Sequence, residues 1–221
     1  LPSGLTPRAA VALQRRLIER IRLEPFPGVP RLVAGVDVSC RRFGTTLWGG
    51  IVVMDRKRRE IVESHVAVLP AEFPYVPGLL SFREIPVLIE AVQQVRTRPD
   101  VLLVDGQGRA HPRRLGIAAH LGLMLDMPTV GCAKSRLVGD TRGEPGPARG
   151  CRRLLIDNGE RIGVLLRTRR NVKPMWISPG HRMDIASAAR ITLACTSRYR
   201  IPDPVRAAHR LVGDARRAAG S

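Results

Sequence analysis

The sequence is poor in lysine and in acidic residues, and its cysteines are not paired. Only three of the 37 basic residues are lysines, and 19 aspartates and glutamates leave a net charge of +18. The four cysteines are scattered without a CxxC pair, which argues against a cysteine zinc site and a disulfide framework. No apolar run approaches membrane-spanning length and no signal-peptide pattern is present, so we expect a cytoplasmic protein without a membrane partner.

The excess of arginine indicates a polyanionic partner. A coding bias toward Arg, Ala, Gly and Pro explains why arginine outnumbers lysine, but it does not explain so large an excess over acidic residues. Because clustered arginines neutralise phosphates, nucleic acid is the partner that the charge favours. With 221 residues, no internal repeat and no evident linker, we expect one domain over residues 1–221, acting as a monomer.

Apolar segments alternate with helical patterns in a way that predicts an α/β fold. Residues 31–38 are almost entirely apolar, which is typical of a central strand, and two further strands at 45–54 and 61–68 predict an antiparallel meander. A helix over 79–95 precedes a buried strand at 101–104. A short strand follows near residue 130, so we expect a central mixed sheet flanked by helices.

Helical patterns also open and close the chain. Residues 6–21 predict a helix that packs with one apolar face and leaves arginines in solvent. A stiff loop at 200–204 begins a last helix that carries His209. Between these helices, two strands within 152–166 join across Asn158-Gly159, which is a strong turn signal.

The stretch 101–122 is the most informative part of the chain. A buried strand runs directly into Asp105, and a glycine-rich turn follows. Residues 111–114 are basic and are expected to open the next helix. A carboxylate at the carboxyl end of a parallel strand is typical of a ligand site, although Asp105 has an equally good interpretation as a cap of the turn.

Two more acidic residues stand out. Asp37 is the only charge in the apolar part of the first strand, where a carboxylate is costly without a partner or a metal. Glu84 lies at a helix beginning, either in a capping box with Ser81 or just before a helix that starts at Ile85. Three acids at one sheet edge repel one another unless a divalent cation neutralises them, and oxygen ligands favour Mg²⁺, with Mn²⁺ as a substitute.

Three other residues have both a functional and a structural interpretation. His209 is a candidate further ligand or proton shuttle, but a lone histidine is more often a surface or packing residue. Lys134 follows a strand end, where a solvated lysine is the simple alternative. Tyr75 is held between two prolines on a stiff loop, from which an aromatic ring can stack on or wedge between bases, but a tyrosine at the edge of the core is the commoner case.

The chain resembles the endonuclease V family. The resemblance spans about residues 31–209 and is carried by five segments in order, namely Gly35-Val36-Asp37, PYVPGLLSFRE (74–84), VDGQGRAHPRRLGIAAHLG (104–122), Val130-Gly131-Cys132-Ala133-Lys134 and RIPDPVRAAH (200–209). The resemblance implies a ribonuclease H-like fold and a Mg²⁺-dependent DNA repair endonuclease. Such an enzyme recognises deoxyinosine and hydrolyses the second phosphodiester bond on its 3′ side, leaving 3′-hydroxyl and 5′-phosphate ends.

The resemblance also implies a role for each matching residue. Asp37 and Asp105 correspond to metal ligands, Glu84 completes the acidic site, His209 joins it from the late helix, and Lys134 lies beside the scissile phosphate. Tyr75, with Val76 and Pro77, corresponds to a wedge that separates the strands. The pocket for the displaced base is expected to be lined by Gly78, Leu80, Gly108, His111 and Gly116.

Two positions need separate interpretation. Gln107 stands where many family members carry histidine, so the resemblance does not assign its contribution to base contacts. His181 stands in a Gly-His-Arg setting and is interpreted as a structural residue or a backbone contact, because His209 has the better position for a metal.

Two alternative functions remain open from the sequence. An inosine-specific ribonuclease would use the same acids and differ in its tolerance of the 2′-hydroxyl. A non-catalytic nucleic-acid-binding module of the same fold would be favoured by loss of an acid, and all three acids are present.

Overall fold

The protein is described here by a computed structural model that covers residues 4–41 and 44–220, and its centre is a mixed sheet of nine strands. In chain order these strands are β1 Leu32–Cys40, β2 Thr46–Asp55, β3 Glu60–Pro70, β4 Val101–Val104, β5 Thr129–Ala133, β6 Asp140–Thr141, β7 Arg152–Asp157, β8 Glu160–Leu166 and β9 Met175–Pro179. They lie in the order β3-β2-β1-β4-β5-β9-β8-β7-β6. The predicted meander β1–β3 and the predicted hairpin β7–β8 are confirmed, and β4 pairs in parallel with both β1 and β5.

Five α-helices pack around this sheet in the described residues, namely α1 Pro7–Leu17, α2 Leu80–Gln93, α3 Ile117–Leu125, α4 Ile185–Ala194 and α5 Asp203–Ala218. Alternate residues of one strand point to opposite faces, so each central strand contributes to two cores. Ala34 and Leu102 pack with α2 and α3, whereas Val33 and Leu103 pack with α4 and the start of α5. None of the helices in this part of the chain combines the length and apolar sequence needed to cross a membrane.

Two adjacent glycines in β2 allow helices to approach the sheet closely on both faces. A Cβ at Gly49 would lie 2.7 Å from the Val87 carbonyl oxygen in α2, and a Cβ at Gly50 would lie 2.4 Å from Val212 Cγ1 in α5. Both distances are too short for a real side chain. The helix that carries His209 is therefore held tightly against β2 and its neighbour β1.

The predicted start of the third helix is wrong. Residues 111–114 form turns, and α3 begins only at Ile117. The backbone N–H of Gly116 donates to the Gly108 carbonyl at 2.9 Å, and Ala118 donates to the Gln107 carbonyl at 3.0 Å. These hydrogen bonds fold the preceding loop back over the end of the sheet instead of extending the helix.

Neither alternative for Glu84 is correct, because the capping box with Ser81 is absent and the helix does not start at Ile85. Helix α2 begins at Leu80, has no side-chain hydrogen bond at its N-cap, and continues through Pro86. Ser81 is buried, and its hydroxyl oxygen lies 3.0 Å from Nδ1 of His120 in α3. This contact between α2 and α3 takes the place of the cap.

Burial of His120 is expected to lower the stability of the folded protein at acid pH. The side chain is completely buried, and burial lowers its pKa from 6.5 to about 4. Because the unfolded chain binds this proton more tightly than the folded chain, the free energy of unfolding falls as pH drops from 6.5 toward 4. We expect His120 to account for a loss of about 2 kcal/mol between about pH 7 and about pH 4.5.

Urea unfolding of the unmodified protein and of His120→Leu at both pH values measures this contribution. The substitution should make the stability of the protein less dependent on pH in this range. His111, whose pKa burial also lowers to about 4, is present in both proteins, so its own contribution to the pH dependence is the same in each. An equal loss of stability in the two proteins would contradict the assignment.

Candidate active site

Two aspartates and a histidine meet at the carboxyl edge of the central strands. Asp37 lies in β1, and Asp105 follows β4, whose Val104 pairs with Val36. Because the backbone N–H of Asp105 donates to the Val36 carbonyl at 3.1 Å, the two aspartates lie side by side. His209 approaches from α5, with its Nδ1 2.7 Å from Asp37 Oδ2. One ligand atom from each of the three residues lies within 4.8 Å of the others, which is a spacing that can hold one metal ion.

The carboxyl groups of this site repel one another in a partly buried environment. Burial and the charge of Asp105 raise the pKa of Asp37 above its ordinary value. Burial, followed by the charges of Asp37 and Asp105, raises the pKa of Glu84 to about 8, although Arg83 opposes the shift. Glu84 is therefore close enough to interact electrostatically with both aspartates, but it is not one of the three residues whose ligand atoms lie within 4.8 Å of one another.

Lys134 lies against Asp105. It follows β5, and its ammonium group donates a hydrogen bond to Asp105 Oδ2. The Lys134 side chain is 38% exposed, so it combines a fixed carboxylate partner with access to solvent. The contact with Asp105 means that Lys134 is not the freely solvated lysine of the simple alternative.

A cavity of about 420 Å³ opens beside the acidic cluster. Glu84, Asp105 and Lys134 belong to its wall, so the cavity shares Asp105 with the acidic cluster. Of the residues predicted for the wedge and the base pocket, seven line it, namely Tyr75, Val76, Pro77, Gly78, Leu80, His111 and Gly116. Segments that are distant in sequence thus form one concave surface next to the carboxylates.

Gly108 does not line this cavity. Its backbone N–H donates to the Ser178 hydroxyl at 2.8 Å, and a Cβ at Gly108 would lie 2.2 Å from the Pro179 carbonyl oxygen. Glycine is needed here because the loop packs directly on the end of β9. Its contribution to the pocket is therefore to hold the loop behind the wall rather than to face a base.

His111 is a buried, neutral hydrogen-bond donor. Its Nδ1 accepts the backbone N–H of Arg113 at 3.2 Å, so the proton lies on Nε2, which donates to the Gly78 carbonyl at 3.1 Å. Burial lowers the pKa of His111 to about 4, with the charge of Arg113 acting in the same direction. The side chain thus joins two walls of the cavity by a fixed contact.

The loop that carries Tyr75 is anchored at its base and exposed at its tip. Phe73 is buried and packs on Phe82, with ring centroids 5.7 Å apart, and the Phe73 carbonyl accepts a hydrogen bond from Arg83 at 2.9 Å. Tyr75, two residues later, is 71% exposed. This exposure favours a role at the surface over a role in the edge of the core.

Sequence reasoning missed several residues of the cavity wall, chiefly Gly106, Leu115, Ile117, Ser135, Arg136 and Leu137, and it left the contribution of Gln107, which also lines the wall, unassigned. Gln107 donates from Nε2 to the Ser135 carbonyl at 2.9 Å and joins the turn after β4 to the loop after β5. Because β4 and β5 are adjacent parallel strands, the segment after β5 has to lie at the same edge of the sheet as Asp105. That reasoning would have found residues 135–137.

His181 lies outside this site and has a structural role, as predicted. It is buried, its Nδ1 accepts the backbone N–H of Arg22 at 3.3 Å, and its Nε2 lies 3.0 Å from Asp126. These contacts tie the segment after α1 to the loop that follows α3.

Comparison with known proteins agrees with the geometry. A sequence model of the endonuclease V family matches residues 15–210. The chain belongs to the endonuclease V family. Endonuclease V of Myxococcus xanthus is 48% identical over 217 residues, which cover 98% of this chain and 92% of the relative.

Solved endonuclease V structures share the fold. That of Streptomyces avermitilis has a TM-score of 0.94 and 39% identity and covers 100% of this chain and 98% of its own. That of Ciona intestinalis, in complex with a 24mer DNA containing an inosine followed by a ribo-adenosine, has a TM-score of 0.83 and 25% identity. It covers 95% of this chain and 97% of its own. The expected ribonuclease H-like fold, with its central mixed sheet, is confirmed.

Proposed function

We propose that this member of the endonuclease V family is a metal-dependent DNA repair endonuclease that cuts DNA beside deaminated bases, with deoxyinosine as its main lesion. The observation that carries the proposal is the cavity of about 420 Å³, which shares Asp105 with the acidic cluster and also has Glu84 and Lys134 in its wall. A base placed in that cavity leaves its own backbone next to the carboxylates. The net charge of +18 and the inosine-containing DNA bound to the Ciona relative support the same substrate.

The residues at the cluster fit a hard divalent cation. The oxygen ligands of Asp37 and Asp105, the ring nitrogen of His209 and the nearby carboxyl of Glu84 are suitable donors for Mg²⁺ or Mn²⁺. The raised pKa values of Asp37 and Glu84 reflect repulsion and burial that a bound cation would offset. When bound, the cation would neutralise charge on the phosphate and activate water for hydrolysis.

The other residues bind and orient the substrate. The Lys134 ammonium group would stabilise negative charge on the phosphate, and Asp105 holds it in place. Tyr75, with Val76 and Pro77, would enter the stack in place of the lesion, and Gly78, Leu80, His111 and Gly116 would line the space for the displaced base. Extrusion is easiest for a weakly paired base, which favours deaminated lesions.

We propose cleavage at the second phosphodiester bond 3′ to the lesion, leaving 3′-hydroxyl and 5′-phosphate ends. Support comes from the resemblance to endonuclease V and from the extent of the acidic cluster, which includes Asp105 of the cavity wall but also Asp37 and His209, which do not line the cavity. The residues invoked lie on one continuous sheet and the helices and loops around it, which supports a single domain, and we propose that this domain acts as a monomer.

A labelled duplex with one deoxyinosine tests the proposal against an undamaged duplex, with Mg²⁺ or with EDTA. We expect a Mg²⁺-dependent nick one nucleotide beyond the lesion and no nick in the control. Tight binding without a nick would contradict the proposed endonuclease activity and favour a non-catalytic nucleic-acid-binding module. The ribo-adenosine in the Ciona complex makes an inosine-containing RNA the second substrate to test, and faster cleavage of RNA would make the ribonuclease alternative correct.

We predict that Tyr75→Ala lowers the rate of duplex cleavage at deoxyinosine by about 10-fold, because stacking of one aromatic ring is worth about 1–3 kcal/mol. Cleavage of single-stranded deoxyinosine DNA should change much less, since no strand separation is needed. Tyr75→Phe is the matched control, because it keeps the ring, and it should behave like the unmodified protein. Equal losses on the two substrates would argue against a wedge.

A further inference from the structure

One backbone carbonyl at the rim of the cavity receives an unusual number of donors. The Gly78 oxygen accepts hydrogen bonds from Gln14 Nε2 at 3.1 Å, from His111 Nε2 at 3.1 Å and from Arg113 Nη2 at 2.6 Å. Gly78 has φ +77°, and a Cβ there would lie 2.7 Å from Arg113 Nη2. The C-terminal end of the wedge loop, defined here as residues 74–78, is therefore held by three side chains at a single atom.

Gln14, on α1, connects the wedge loop to the opposite wall of the cavity. Its side chain is fully buried, and its amide nitrogen donates both to the Gly78 carbonyl and to the Leu115 carbonyl at 3.3 Å. Its amide oxygen accepts a hydrogen bond from Arg113 Nε. Gly78 and Leu115 both line the cavity, so one buried amide sets the separation of the two walls.

The rest of α1 supports the same loop by apolar packing. Ala10 belongs to a buried cluster with Phe73, Leu79 and Phe82, and Val76 of the wedge loop packs against that cluster. Apolar packing alone leaves the loop free to shift within the cluster, whereas directional hydrogen bonds determine its position. Gln14 supplies such directional hydrogen bonds from α1, a helix that contributes no residue to the cavity lining.

We propose that Gln14 is a positioning residue for lesion recognition, which acts by holding the Gly78 carbonyl so that the wedge loop and the base pocket keep the spacing needed to extrude a base. Arg113 shares this role through the same oxygen and through Gln14 itself. The inference rests on the proposed function, because it takes the wedge and the pocket as the parts that Gln14 positions. Neither residue is placed at the reacting phosphate, so the chemical step is left intact.

The test compares Gln14→Met with the unmodified protein on duplex and single-stranded DNA containing deoxyinosine. Methionine keeps the length and apolar volume of the side chain but removes both donors and the acceptor. We expect single-turnover cleavage of the duplex to fall by about 10-fold, because small displacements of a positioned group are costly, and cleavage of the single strand to fall by less than about 3-fold. A purely structural role would lower both rates together.

A second measurement does not depend on cleavage. In EDTA, 2-aminopurine placed next to deoxyinosine in the duplex reports unstacking by a rise in fluorescence when the protein binds at saturation. We expect Gln14→Met to give less than about half of the rise given by the unmodified protein. If Gln14→Met does not fold, Gln14→Glu and Arg113→Met test the same contact, since each removes donors from the Gly78 carbonyl.

Two controls separate positioning from general damage. Gln94→Met changes an exposed glutamine just after the end of α2, whose side chain donates a hydrogen bond to Glu90, and it should leave both measurements unchanged. Gln14→Met combined with Arg113→Met should cost less than the sum of the single changes, since both residues hold one oxygen.

The outcomes distinguish the inference from the function on which it rests. An unmodified protein that neither nicks the duplex nor raises the fluorescence would overturn the proposed function and this inference with it. The inference alone would be overturned if the unmodified protein is active and Gln14→Met has the same ratio of duplex to single-strand cleavage rates and the same rise in fluorescence.

Discussion

Asp105→Ala is expected to lower the single-turnover rate of cleavage at deoxyinosine by about 10³-fold, which corresponds to about 4 kcal/mol of transition-state stabilisation. Asp37→Ala should have an effect of the same size, because the two carboxylates lie side by side at the carboxyl edge of β1 and β4. Removing either one leaves too few ligands to hold a divalent cation at the phosphate.

Binding separates this loss from loss of folding. Removal of a negative charge from a surface that receives phosphates does not weaken association, so the affinity for the deoxyinosine duplex in EDTA should stay within a few-fold of that of the unmodified protein. Asp214→Ala is the matched control, since Asp214 lies exposed on α5 and pairs with Arg217. Full cleavage by both Asp37→Ala and Asp105→Ala would rule out the metal assignment.

Lys134→Ala should lower the same rate by about 10²-fold, which is the loss that follows removal of one positioned group that stabilises developing charge. The Lys134 ammonium group is held by Asp105 and remains partly open to solvent, so it can meet a phosphate at the metal site. Lys134→Arg should recover only part of the rate, because the guanidinium group is larger and planar.

Lys57, one of the two other lysines of the chain, offers a matched control for this prediction. Lys57 is exposed in the turn between β2 and β3, remote from the site, and Lys57→Ala should cleave like the unmodified protein. Rates should be measured at saturating protein, so that a change in affinity does not enter. A Lys134→Ala protein with the rate of the Lys57→Ala control would show that Lys134 has no part in the reaction.

Predictions from the sequence alone were wrong where a local pattern competed with hydrogen bonds formed in the tertiary structure. Periodicity extended the third helix back to residue 111, but hydrogen bonds from Gly116 and Ala118 to the turn at 107–108 decided that the loop folds over the cavity. The spacing of Ser81 and Glu84 suited a capping box, but a buried histidine in α3 takes the hydroxyl of Ser81 instead. Both errors arose because the competing partner lies outside the helical spacing of three or four residues, at 8 and 11 positions in the first case and at 39 in the second.

The positions of the acids were predictable because strand pairing has few solutions. Apolar runs identified β1 and β4, and the carboxyl ends of adjacent parallel strands meet at one edge, so Asp37 and Asp105 were expected together. The stiffness of the wedge loop was also predictable, since two prolines restrict it locally, but the sequence left open whether Tyr75 lies at the core edge, and only the structure shows it exposed.

The sequence by itself determined the class of fold, the strands that carry the two aspartates and the family, because these depend on local apolar patterns and on long motifs in order. Only the tertiary structure decided that His209 contacts Asp37, that Glu84 lies beside rather than within the three-residue cluster, and that Gln14 bridges Gly78 and Leu115. Those contacts join residues that are 64 to 172 positions apart, and no local pattern encodes the side-chain directions that packing imposes.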